Sequence, residues 1–349
     1  MSTQPLVSII TPSYNQAAFL EDTIQSVLQQ DYQPLEYIIV DGASNDGSVE
    51  IIKCYSERLS WWISESDAGQ AEAINKGLKR ASGEIIAWLN SDDIYLPGAV
   101  RQAVEKMKAN PDIVMVFSDA VTIDKHGSPL NFLRFEDWGL LDLVAFRIIC
   151  QPAVFIRREF LLQAGLLEPS YHSLLDHNLW VRIARLGQIQ HACPEYKTFE
   201  NPESGQFKGL WAAARHHPDA KNVAQPTAFA EEANHLLDWM EGQPDLIQLI
   251  QGNQGKVYSG AFRLSGRYLL DGGQPKVALG SYWKAFNADP RYTLKHLNRI
   301  LYALVCVIAG EKLAEQIMGY TRRSKSITDR LPGLKGWPKP SNPKKGKIN

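Results

Sequence analysis

"EIIAWLNSDD", residues 84–93, is the stretch on which the fold turns. A short apolar run bounded by polar residues reads as a buried strand. This one runs out into two adjacent carboxylates, Asp92 and Asp93. Like charges side by side repel, and a turn needs only one of them. Taken alone, the pair could cap the helix that starts near Pro97, because Asp is favoured just before a helix and Pro in its first turn. The other strand ends decide between capping and a ligand site.

Working outward, "LVSIIT" (6–11), "LEYIIV" (35–40), "SWWIS" (60–64) and "DIVMVFS" (112–118) have the same short, β-branched or aromatic character. Amphipathic segments separate them at 17–30, 48–59, 69–81 and 97–110. In the first of these, Phe19, Thr23 and Val27 and then Leu20, Ile24 and Leu28 repeat at helical spacing. Strand–helix alternation on this scale predicts an α/β fold, Rossmann-like, with a mostly parallel sheet and helices on both faces. Further on, 120–135 reads as a hairpin around Gly127–Pro129, and "PAVFIR" (152–157) as a strand. Residues 173–187 read as a helix stopped by Gly187, with "QIQHA" and "EYKTFE" as closing strands.

Four strand ends are followed by "TPSYN", "DGASNDGS", "ESDAGQ" and "NSDD". In a parallel α/β sheet the C-terminal strand ends lie along one edge, where ligands bind. Asp41, Asp67, Asp92 and Asp93 are therefore expected to line one crevice. Acids do not attract an anion unaided, but carboxylates that hold a divalent cation do. The chain has neither a P-loop nor a G-x-G-x-x-G after its first strand. A nucleoside diphosphate held through a metal ion fits what remains.

Composition agrees. Hydrophobic residues make up 44% and charged ones 21%, which is ordinary for a globular protein. The net charge of -1 points away from nucleic acid. The four cysteines are scattered without metal-ligand or disulfide spacing. The N-terminal "MSTQPLVSIITPSYN" has no basic segment followed by an apolar one, and the longest apolar stretch, 300–310, is short of the ~20 residues that span a bilayer. The expectation is a cytoplasmic protein, with 300–310 a buried helix and an interfacial helix as the lesser alternative, and the Lys-rich tail open to peripheral contact with the inner membrane face.

From about residue 207 the sequence reads as helix throughout, with 264–290 similar to one tetratricopeptide-type helical hairpin. The expected organisation is a catalytic domain over 1–206, a helical region over 207–330 and a disordered basic tail over 331–349.

"VSIITPSYNQAAFLEDTIQSVLQQDY", "YIIVDGASNDGS", "SDAGQAEAINKGL" and "IIAWLNSDDIYLPGAV", in that order, resemble the nucleotide-binding half of the family 2 inverting glycosyltransferases of GT-A fold. The resemblance covers roughly residues 6–205. It implies a nucleotide-sugar donor, UDP-linked by family habit, and a Mg²⁺ or Mn²⁺ ion. It also implies transfer with inversion to a hydroxyl of a glycan, lipid-linked glycan or similar acceptor in surface polysaccharide or glycoconjugate synthesis. By the same resemblance Pro12 and Tyr14 pack on the nucleoside and Asp41 reads the base. Asp67 joins the cofactor-binding set, Asp93 is the metal ligand, and Asp92 reaches ribose or metal. "LLDHNLWVR" resembles the family's acidic motif and makes Asp176 the general base, with Leu175 in place of the usual Glu. Gln151–Pro152 opens an acceptor-side segment. Two further departures are Asn90, where many members carry the first metal-site acid, and Asn201, where many carry a His. The rival is a nucleotide-binding module of the same fold without turnover. His172, His177 and His216–His217 have no partner spacing and read as surface or helix residues, and Trp61–Trp62 as sheet packing.

Overall fold

The computed structural model describes residues 4–192, 209–217 and 220–318 of the chain. Eleven strands are placed among them: β1 (Val7–Ser13), β2 (Leu35–Asp41), β3 (Trp61–Ser64), β4 (Ile85–Trp88), β5 (Ile94–Tyr95), β6 (Ile113–Phe117), β7 (Asp119–Ile123), β8 (Pro129–Leu133), β9 (Val154–Arg157), β10 (Gln188–His191) and β11 (Leu210–Arg215). Seven form one sheet in the order β10-β6-β9-β4-β1-β2-β3. Every pairing in it is parallel except the two made by β9. Successive side chains of a strand point to opposite faces, so β1 sends Ile9 into one core and Ile10 into the other. Helices Leu20–Leu28 and Ala99–Ala109 cover the first face, and Gln70–Arg80 and Leu175–Ala184 the second.

The register brings the functional edge together. Ser13 lies opposite Asp41, and Asp41 opposite Ser64, so β1, β2 and β3 end at one level. A second, four-stranded sheet has the order β5-β11-β7-β8, with β5 and β7 next in the chain after β4 and β6 of the first. The 120–135 hairpin is its antiparallel β7–β8 pair.

Strand β11 corrects the expectation of helix from residue 207. "LWAAAR" has three alanines, the best intrinsic helix former. Yet Leu210, Trp211, Ala212 and Ala213 are buried between β5 and β7. Tertiary pairing overrides local propensity there, and the catalytic half of the fold extends past residue 206 to take in this strand.

The helical region docks on the sheet through its first helices, while Leu270, Ala278, Tyr282, Tyr302, Ala303 and Cys306 form a separate core within it. Helices Pro226–Glu241, Pro244–Gln251 and Gln254–Asp271 send Phe229, Leu236, Met240, Leu246, Val257 and Leu264 into the same cluster as Ile10, Ile38 and Trp88 of the sheet. Contact is closest at Gly260, where an added Cβ would lie 2.0 Å from the Ala145 carbonyl oxygen. Backbone cannot yield as a flexible side chain does. Gly260→Ala is therefore expected to destabilise the chain by about 2–4 kcal/mol, as overpacking and backbone strain do, and a thermal melt against wild type checks it.

The predicted helical hairpin is present as Gln254–Asp271 and Pro275–Ala288, joined through Gly272–Gly273. The helix Leu297–Ala309, expected to be buried with an interfacial position as the lesser alternative, is half-buried. Tyr302, Ala303 and Cys306 face inward, while Leu297, Leu301, Leu304 and Ile308 are exposed. The strand expected at "EYKTFE", Cys193, Asn201 and the tail 331–349 lie outside the described residues.

Candidate active site at the strand ends

The loops that follow β1 and β2 are stitched to one another. The Asn15 amide donates to the Ser44 hydroxyl at 2.8 Å, the Asn45 amide to Asn15 Oδ1 at 3.0 Å, and the Ala17 amide to Asp46 at 2.9 Å. Asn15 and Ala43 hold positive φ angles of 51° and 62°, a conformation that costs most residues energy and here turns both loops over the sheet edge. Pro12 is buried inside β1, and Tyr14 stands on this platform 63% exposed, free to lie against a flat ligand.

Asp41 sits beneath the platform, fully buried. Its carboxylate accepts from the Ser44 amide at 2.9 Å and from the Ser44 and Ser64 hydroxyls at 2.6 and 2.7 Å. It braces the loop from below. Asp67 packs over the next residue: a Cβ on Gly42 would meet Asp67 Oδ2 at 2.9 Å. The glycine after Asp41 is thus explained by the carboxylate that occupies the space of a side chain.

The "NSDD" turn divides its acids between two roles. Asp93 points inward, 5% exposed, and its Oδ1 accepts from the Arg215 amide at 2.8 Å. Burial first, and the neighbouring Asp92 second, push its carboxyl well above the usual carboxylate range. The Asp93 carbonyl takes the Thr23 hydroxyl at 2.7 Å, fixing the turn to the helix below. Asp92 points outward, its side chain 20% exposed, with Oδ2 3.1 Å from Nε2 of His217. Asn90 accepts from Gln70 at 2.8 Å.

Two residues that sequence reasoning missed complete this corner. His217, read as a surface or helix residue, is buried and packs on Phe19 with ring centroids 4.8 Å apart. Arg215 is buried too. Its guanidinium donates to the carbonyls of Asp92, Asp124 and Lys125 and to the Asp22 carboxylate at 3.2 Å, and it lies 4.8 Å above the Phe19 ring. Both follow from β11 passing beside the turn. In sequence they are more than a hundred residues from Asp92, and no local pattern links them.

Asp176 opens the helix Leu175–Ala184 and is half-buried. Its Oδ1 accepts from the His177 amide at 2.7 Å, but burial outweighs that bond and pushes its carboxyl up to about 6. His177 is helical, as read, and fully buried, with Nε2 2.9 Å from the Leu143 carbonyl oxygen; burial takes its imidazole down to about 4. Glu232, from the helical region, accepts from the amides of His172, Ser173 and Leu174 at 2.8–3.0 Å and so fixes the turn that presents Asp176. The Lys221 ammonium bridges Gln70 (2.6 Å) and the His172 carbonyl (3.2 Å), within the fields of Glu232, Asp176 and Asp92. Gln151 donates to the Trp88 carbonyl at 2.7 Å, while its Oε1 is buried without a hydrogen-bond partner.

Among the described residues no three His, Cys, Asp or Glu side chains are gathered to hold a metal ion unaided. Asp92 and His217 do offer an adjacent carboxylate and imidazole. A Mg²⁺ or Mn²⁺ ion that takes its other ligands from phosphates and water needs no more from the protein. The donor set fits such an ion.

Comparison with known proteins matches this geometry to a family. Residues 8–161 match Glycosyl transferase family 2. TuaG of Bacillus subtilis, provisionally named a glycosyltransferase of teichuronic acid biosynthesis, is 32% identical over 222 residues, which are 61% of this chain and 85% of TuaG. An uncharacterised glycosyltransferase of Rickettsia felis is 28% identical over 197 residues, which are 53% of this chain and only 32% of that longer protein. Among solved structures, the mannosyltransferase PcManGT from Pyrobaculum calidifontis, in complex with GDP-Man and Mn²⁺, superimposes with a TM-score of 0.56 at 18% identity, covering 95% of this chain and 89% of that one. S. aureus TarS 1-349 in complex with UDP-GlcNAc gives 0.52 at 14% identity, covering 91% and 93%. The fold is GT-A with a helical C-terminal region, and the chain belongs to glycosyl transferase family 2.

Proposed function

We propose that the protein transfers a sugar from a nucleotide-sugar donor, UDP-linked, to an acceptor hydroxyl with inversion at the anomeric carbon, in the synthesis of a surface polysaccharide or glycoconjugate. The observation that carries the reading is the pairing of one partly exposed carboxylate, Asp92 beside His217, with a second, Asp176, raised to about 6. Both lie within the field of the Lys221 ammonium.

In this reading Tyr14 stacks on the base and Pro12 supports the loop beneath it. Asp41 holds that loop in shape from below, Asp67 borders the nucleotide, and Asp92 with His217 would hold the divalent ion while Asp93 locks the turn. The ion, when bound, offsets the charge that grows on the leaving diphosphate. Asp176 then takes the acceptor hydroxyl's proton as its oxygen attacks from the side opposite the diphosphate. A carboxyl near 6 is mostly ionised at neutral pH yet more basic than an ordinary Asp, which suits a general base. TuaG's name and the UDP-GlcNAc held by TarS support the polysaccharide and UDP readings. The cytoplasmic reading is supported by cysteines scattered without disulfide spacing.

Calorimetric titration with UDP, GDP and dTDP, each with Mn²⁺ and with EDTA, tests the donor site. UDP is expected to bind, at least about tenfold more weakly in EDTA or in Asp92→Ala, since losing the ion or a group that holds it costs on that order. Equal, metal-independent binding of all three nucleotides would sink the metal-site reading.

A further inference from the structure

We propose that Arg147, Arg263, Arg267, Tyr282, Tyr292 and His296 form a binding site for a phosphate group at the seam between the catalytic half and the helical region. Arg147 follows the helix Leu140–Val144, and Arg263 and Arg267 lie one turn apart on Gln254–Asp271. Tyr282 comes from Pro275–Ala288, Tyr292 from Pro290–Leu294, and His296 precedes Leu297–Ala309. The Tyr292 ring gathers them. The Arg147 guanidinium lies 5.1 Å from its centre, that of Arg263 5.9 Å, and the His296 ring 6.0 Å. Two guanidinium groups on one ring repel each other, and burying a cation without a counter-charge is costly. Among the described residues no salt bridge joins Arg147 or Arg263 to an acid, while Asp271 takes Arg299 at 3.4 Å and stands 3.8 Å from Arg267.

The unsatisfied polar atoms identify the ligand. Nε of Arg147, Arg263 and Arg267 and the hydroxyls of Tyr282 and Tyr292 are buried without a hydrogen-bond partner. The two tyrosines are only 2% and 6% exposed. Five orphaned donors gathered from three helices and a turn are unusual, because buried polar groups are nearly always paired. The local field is positive enough to act on a neighbour. Burial first, and then Arg263, Arg147, Arg299 and Arg267, push the His296 imidazole down to about 4. Packing accounts for part of the cluster: Arg263 Nη2 donates to the Phe146 carbonyl at 3.0 Å. The Arg147 guanidinium, by contrast, rests on the Trp138 and Tyr292 rings, and no hydrogen bond among the described residues holds it. A carboxylate offers two oxygens, whereas a phosphate group offers at least three and about two charges, enough for guanidinium forks that arrive from separate elements. Arg147, Arg263, Arg267 and His296 each keep part of their surface in solvent, which leaves such a group an approach. The site draws on none of the strand-end residues, so it does not depend on the donor reading.

Calorimetric titration of the full chain with sodium phosphate and with glycerol 3-phosphate, in EDTA and about 0.15 M NaCl, tests it. Saturable binding is expected in wild type. Arg147→Gln removes a charge, and Tyr292→Phe a single unpaired hydroxyl. Each should weaken binding by about tenfold, the loss that follows when a hydrogen bond to a charged group is removed. In phosphate-free buffer Tyr292→Phe should melt within about 1 °C of wild type, so its weaker titration reports the site and not the fold. Asp92→Ala should leave both titrations unchanged, which separates this site from the strand ends. Equal or tighter binding of the ester assigns the site to a phosphate borne by a larger molecule, and tighter binding of the inorganic ion assigns it to free phosphate. No saturable binding of either probe, or binding that either site variant leaves intact, would overturn the proposal. So would binding abolished by Asp92→Ala, which would place the phosphate at the strand ends.

Discussion

Asp176→Asn is expected to lower the transfer rate by about 1,000-fold while UDP affinity stays within about twofold, because removing a positioned general base costs 10²–10⁴ and leaves the donor contacts untouched. The wild-type rate should carry an acidic limb. The Asp176 carboxyl is raised to about 6 by burial, so the basic form appears as pH rises through that value and is lost below it. A pH profile of kcat/KM on wild type should show that limb, and the residual activity of the Asn variant should lack it. The stability sign runs the other way. A carboxyl raised in the folded state is penalised once ionised, a cost absent below the unfolded value of 3.8 and complete above about 6. The Asn variant should therefore melt no lower than wild type at pH 7.5. A lower melt with parallel loss of UDP binding would instead assign Asp176 to folding.

Arg215→Met should have the largest structural effect. The side chain is 1% exposed, and its fork holds three carbonyls and the Asp22 carboxylate. Burial already raises the Asp22 carboxyl, and Arg215 is what opposes that rise. Removing the guanidinium leaves a desolvated acid and unpaired carbonyls, a loss of about 3–5 kcal/mol where one partner of a buried pair is deleted. For a protein of this size that corresponds to a melting temperature lower by about 10 °C. Because the fork donates to the Asp92 carbonyl and the Arg215 amide to the Asp93 carboxylate, the metal-dependent part of UDP affinity should fall too, by about tenfold or more. Arg215→Lys separates the effects: it keeps a charge near Asp22 but cannot span the carbonyls. A Met variant melting within about 1 °C of wild type would show that the fork stabilises nothing.

Much of the fold was legible because its signals are local. Apolar runs such as "EIIAWL" have one conformation that buries both faces, and helices of 3.6-residue period between them leave little choice but a parallel sheet. Once the sheet is parallel, topology alone gathers Asp41, Asp67, Asp92 and Asp93 on one edge. β11 was illegible for the opposite reason. Its alanines favour helix, and only the slot between β5 and β7 makes it a strand. The same pairing carries Arg215 and His217 to the "NSDD" turn across more than a hundred residues.

The sequence by itself determined the α/β sheet, the edge that gathers the acids and the kinship carried by four motifs in order. It did so because strand and helix periods and motif spacing are properties of neighbouring residues. Only the tertiary structure decided which acid of "NSDD" faces outward, that Glu232 fixes the turn presenting Asp176, and that the first helices of the helical region share the sheet's core. Those are outcomes of long-range packing, in which a residue's partner is set by which elements pass beside it, and burial then raises the carboxyls of Asp93 and Asp176.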